Sequence, residues 1–74
     1  MNKNCEYVLK LFCNHLEGNS DGYIPSIDIG NSLKEERKEI MMILEKNGYV
    51  TNISYNGHSS VGCCVTDKGR NYFD

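Results

Sequence analysis

Apolar residues recur at three- and four-residue spacing from Asn4 to Glu17: Cys5, Val8, Leu9, Phe12 and Leu16 fall on one side, Glu6, Lys10, Asn14 and Glu17 on the other. This is the pattern of an amphipathic helix. Asn4 is placed to cap its start, and Gly18, Asn19 and the Asp21-Gly22 pair supply residues that end a helix and turn the chain. Tyr7 and Leu11 lie at the edge of the apolar stripe.

The next segment, "YIPSIDIG", reads as a brief strand at Tyr23-Ile24 followed by a short helix or turn from Pro25 to about Gly30, because proline tolerates an extended residue before it and a first helical turn after it. Ser32 with Glu35 three residues later forms a capping-box pattern, and Asn47-Gly48 is a helix stop. Between them the spacing predicts a helix of about four turns. Leu33, Ile40, Ile43 and Leu44 point to one side of it and Lys34, Glu35, Lys38, Met42 and Glu45 to the other, with Arg37 and Met41 on one flank.

Two runs rich in β-branched and aromatic residues follow, "YVTNISY" and "HSSVGCCVT", joined by Asn56-Gly57. They predict a hairpin with a two-residue turn, Tyr55 facing His58 and Val50 opposite Cys63, so that Val50, Val61, Cys63 and Val65 share one buried face. Thr66 can cap a final short turn, and Tyr72-Phe73 can fold back on the core.

A chain of 74 residues makes a single domain, residues 1–74, with a thin core. Its net charge of -2 argues against binding nucleic acid by bulk charge, so any such site must be local. No apolar run spans a membrane and no secretory leader pattern opens the chain, which points to a cytoplasmic protein whose cysteines stay reduced. Cys63 and Cys64, as neighbours on a strand, point to opposite faces and do not chelate one ion together. Cys5, Cys13, His15 and His58 lack the spacing of a zinc site, so no metal and no cofactor is expected. Cys5 and Cys63 read as small buried hydrophobes, and Cys64 as the better candidate for a reactive thiol. No nucleophile-base pair or carboxylate pair stands at a recognisable spacing, so the chain is not expected to be an enzyme.

The order of elements, with a capped helix ending "ILEKNGYV" and a hairpin ending "VTDKGRNYF", resembles the winged helix-turn-helix superfamily of small bacterial and phage regulators. Leu44, Gly48, Tyr49, Val50, Val65, Thr66 and Gly69 stand where that superfamily has a recurring L-x-x-x-G-[YL]-[IV] … [LV]-T-x-x-G pattern. The resemblance implies an α+β fold of three helices with a C-terminal two-stranded β-hairpin wing, acting as a DNA-binding transcriptional regulator. Carried onto this chain, the groove-facing residues would be Lys34, Lys38 and Met42 with Arg37 beside them. Asn31 and Ser32 at the helix start would accept a phosphate, and Tyr55, Asn56 and His58 would form the wing tip. The competing reading is a solvated helix face of i,i+4 pairs and a winged-helix protein-interaction module that binds no nucleic acid; a wing tip without Lys or Arg favours it. Tyr7, Leu11 and Met41, with Met42, are the expected surface for a homodimer or protein partner, unless they line the far side of the core.

Overall fold

The computed structural model describes residues 1–16 and 21–74, so the expected helix stop at Gly18 and Asn19 lies outside the described residues. Helix α1 runs Lys3–Asn14, strand β1 Tyr23–Asp28, a 3₁₀ turn Asn31–Leu33, helix α2 Arg37–Lys46, strands β2 Val50–Asn56 and β3 Ser60–Val65, and a final turn of helix α3 Asp67–Arg70. The architecture is α+β. Among the described residues, three α-helices accompany one antiparallel sheet of order β1-β3-β2.

Helix α1 forms on the predicted apolar spacing and buries Cys5, Val8, Leu9 and Phe12, but it ends at Asn14 with His15 as its C-cap, short of the Glu17 expected. Its cap is Asn2 rather than Asn4: the Asn2 side chain accepts the Cys5 N–H at 2.8 Å. Asn4 instead donates through Nδ2 to Glu36 Oε2 at 2.8 Å, tying α1 to the start of α2.

Pro25 lies in a strand, which corrects the short helix or turn expected from Pro25 to about Gly30. Ile24 pairs with Cys63 and Ile27 with Val61, so β1 holds one more residue than β3 between these pairs, and Pro25 and Ser26 occupy the bulge. A bulged edge position needs no N–H for the ladder, which is what lets proline enter a sheet. Gly62 makes room for it, since a Cβ there would come within 2.1 Å of the Pro25 carbonyl oxygen.

The capping box expected at Ser32 and Glu35 does not open an α-helix. Hydrogen bonds from Leu33 to Gly30, Lys34 to Asn31 and Glu36 to Leu33 span three residues each, and the first α-type bond in this stretch is Ile40 N–H to Glu36 O at 2.9 Å. The tighter winding brings Leu33 into the core at the cost of the helix's first regular turn. At the other end the sequence signal holds: Gly48 takes a φ of 80°, and the Tyr49 N–H reaches back to Leu44 O at 2.9 Å.

The hairpin turn is longer than expected. Asn56 pairs with Ser60 and Tyr55 with Val61, not with His58, while at the base Val50 pairs with Val65 rather than Cys63. Between Thr51 and Ser54 β2 carries one extra residue, and Asn52 takes a φ of 54° there. At the base the register differs from expectation by an even number of residues, so Val50, Val61, Cys63 and Val65 still share the buried face. Beyond the bulge the phase is reversed, turning Ile53 onto the core and Tyr55 to the side that carries Val61.

The core joins α1, α2 and one face of the sheet around Phe12, Leu9, Met41, Leu44, Val50 and Val61. Met41 is 0% exposed, which corrects its assignment to a partner surface. Arg37, Ile40, Met41 and Leu44 follow the i, i+3, i+4, i+7 pattern, so the inner face of α2 is rotated toward the flank on which Met41 lies.

Candidate nucleic-acid interface

Arg37 is the first residue of α2 and lies at the edge of that inner face. A guanidinium half-buried there has to find acceptors, and the hairpin turn supplies them. Its Nη1 donates to the backbone carbonyls of Ser60 at 2.8 Å, Gly57 at 3.1 Å and Asn56 at 3.3 Å. The guanidinium carbon also stands 5.0 Å from the centre of the Tyr55 ring. Burial pushes the Tyr55 hydroxyl above its ordinary pKa, while the Arg37 charge pulls the other way.

One side chain thus fastens the hairpin tip to the start of α2. Asp28 steadies the same region from β1: its carboxylate accepts the Gly30 N–H at 2.7 Å, and the backbone of Gly30 holds its carboxyl below the usual aspartate range, with Ser59 adding to the effect. Ile29 donates its N–H to Ser59 O at 2.8 Å.

Ser32, Lys34 and Lys38 are exposed, as are Asn56 and His58 in the hairpin. Met42 is 60% exposed, one turn beyond Lys38 on the outer side of α2. Among the described residues, no hydrogen bond or ion pair engages the side chain of Lys34 or Lys38. Arg37 differs from them in having its charge already directed at the hairpin carbonyls. Ser32 lies in the 3₁₀ turn, and Glu35 and Glu36 stand between it and the first residue of α2, so the site expected to accept a phosphate at Asn31 and Ser32 is set apart from the helix terminus.

Tyr7 is 54% exposed on α1, whereas Leu11 is half-buried and packed on the core. Phe73, 39% exposed, has Lys10 Nζ 4.9 Å from its ring centre and meets Tyr72 edge to face. The sequence reading did not link these residues, which the C-terminal segment brings to α1. The Tyr72 hydroxyl donates to Glu6 Oε2 at 2.6 Å, and that bond, with burial second, pushes its pKa up to about 12.

The four thiols are free. Cys5 and Cys63 are buried, and burial raises both, Cys63 to about 12. Cys64, on the outer face, is half-buried with Asn52 Nδ2 3.8 Å from its sulfur. No helix among the described residues is long and apolar enough to cross a membrane.

The link that sequence reasoning missed is Arg37 to the hairpin. Its signal was present: an arginine three residues before Ile40 and four before Met41 lies on the core side of a helix and must end at an acceptor. No family model matches the chain, and no curated protein or solved structure matches it.

Proposed function

We propose that this domain binds double-stranded DNA through the outer side of α2 together with the hairpin tip, as a small winged helix-turn-helix regulator would. The observation that carries the reading is the Arg37 clamp, because three hydrogen bonds to the carbonyls of Asn56, Gly57 and Ser60 make the helix and the hairpin one continuous surface. Lys34 and Lys38 supply charge on that surface, and Asn56 and His58 supply hydrogen-bonding groups at its rim. Arg37 acts in this scheme as the strut that fixes the wing, and the lysines as the contacts.

Fluorescence anisotropy of a labelled duplex mixture at two salt concentrations tests the reading. Binding should weaken as salt rises, and the Lys34→Ala, Lys38→Ala double variant should bind more weakly with a shallower salt slope, by about one unit for each lost phosphate contact. Wild-type protein that binds no duplex at low salt would overturn it.

A second reading, a protein-interaction module, is favoured by Tyr7 and Phe73, which leave aromatic surface open on the α1 side. Concentration-dependent sedimentation that Tyr7→Ala abolishes, with DNA binding absent, would select it.

A further inference from the structure

We infer that Asn56 is a site of spontaneous covalent modification, its side-chain amide being converted to a carboxylate through a cyclic imide with Gly57. The inference is independent of the DNA reading. It rests on a contrast within the chain, which holds two Asn-Gly pairs, Asn47-Gly48 and Asn56-Gly57. A following glycine has no Cβ to hinder attack of its backbone nitrogen on the asparagine side chain, so both pairs are reactive in an unfolded chain.

The fold treats them differently. At Asn47-Gly48 both reacting groups are held: Asn47 Nδ2 donates to Ile43 O at 2.8 Å, and the Gly48 N–H donates to Glu45 O at 3.0 Å. At Asn56-Gly57 the Gly57 N–H has no hydrogen-bond acceptor among the described residues, and Asn56 Nδ2 reaches only Ser54 O, at 3.5 Å. Asn56 and Gly57 are exposed at the hairpin tip, with water at hand.

Arg37 adds a chemical push. Its Nη1 lies 3.3 Å from Asn56 O, the carbonyl of the same peptide unit that carries the Gly57 N–H. When that N–H is deprotonated, negative charge spreads onto Asn56 O, where the guanidinium stabilises it. The deprotonated nitrogen then forms a bond to Cγ of Asn56, the bond from Cγ to Nδ2 breaks, and Nδ2 takes up a proton and leaves as ammonia. Water opens the resulting imide at either carbonyl, giving aspartate or its isomer with the main chain routed through the side chain. No oxidant or reductant is required. Either product sets a new carboxylate beside the Arg37 guanidinium, which can then leave the hairpin carbonyls to pair with it.

The test is peptide mapping by mass spectrometry of the folded protein aged in mildly alkaline buffer, with a parallel sample aged in urea. In the folded protein the amide-to-acid mass shift should appear at Asn56 several-fold faster than at Asn47, and in urea the two rates should come together. Equal rates in the folded protein, or an Asn56 that converts only in urea, would overturn the assignment. Arg37→Gln removes the charge and leaves a shorter neutral amide, and it should slow conversion at Asn56 while leaving Asn47 unchanged. A rate at Asn56 that is unchanged or raised in that variant would remove Arg37 from the chemistry.

Discussion

The two ends of β3 are fastened to the helices in different ways. At its C-terminal end Val65 is buried, and Thr66 Oγ1 donates to Gly48 O at 2.6 Å while its N–H donates to Tyr49 O at 3.0 Å. The same Oγ1 accepts the Gly69 N–H at 3.0 Å and so caps α3. Lys68 Nζ adds a bond to Asn47 O at 2.8 Å, and Tyr72 ties back to Glu6 of α1. At its other end Val61 is buried in the core, and the polar contact with the helices is made by Arg37, whose bonds all leave from one nitrogen and end on the carbonyls of Asn56, Gly57 and Ser60 at the hairpin tip. The first end joins apolar burial to several independent polar contacts. The second joins the apolar burial of Val61 to one polar strut, so the turn beyond it rests on fewer independent contacts.

Breaking the firm end should cost the most. Leu44, buried where α2 meets the sheet, should lose about 2–5 kcal/mol of stability on Leu44→Ala, read from urea unfolding; a loss below about 1 kcal/mol would show that it does not join the layers. Gly69→Ala places a Cβ 2.3 Å from Tyr49 O, a backbone atom that cannot swing away, and should cost about 1–3 kcal/mol in the same assay. Thr66→Ala removes the α3 cap and two bonds to the turn after α2, for a loss of about 0.5–2 kcal/mol.

Smaller effects belong to the strut. Arg37→Ala should change global stability by only about 0.5–1.5 kcal/mol, while amide exchange rises in the hairpin turn and not at Val50 or Val65. Uniform loss of protection along β3 would erase the difference between its two ends.

The pH response also belongs to the firm end. The Tyr72 hydroxyl is held protonated by its bond to Glu6, so its folded pKa of about 12 exceeds the ordinary tyrosine value of about 10. The contribution of that bond is complete below the lower value and is lost as the pH rises through the higher one. An NMR titration of the Tyr72 ring should find the late midpoint, and Glu6→Ala should return it toward the ordinary value.

How far the fold was legible depended on the range of the interaction that decides each element. The apolar stripe of α1, the stop at Gly48 and the strand character of the last third of the chain are local, and each is found where the sequence puts it. Thr66 was legible as a cap but not as a clasp, because its second role needs the Gly48 and Tyr49 carbonyls of a distant turn. Of the candidate site, Lys38 and Met42 are exposed as their wheel positions require and Lys34 is exposed in the turn before α2, whereas Met41 and Arg37 are turned inward.

The sequence by itself determined where apolar residues must be hidden: periodicity within a helix and alternation within a strand are properties of neighbouring residues. It also determined that Cys63 faces inward and Cys64 outward, since alternation along β3 survives either register. Only the tertiary structure decided that Pro25 lies in a strand, because β3 with Gly62 offers a partner that local propensity does not see. The bulge at Asn52 likewise arises from pairing, and it alone brings Tyr55 round to the side of Arg37. The Arg37 clamp was settled by the same means, since its three acceptors become neighbours of α2 only when the sheet has folded onto it.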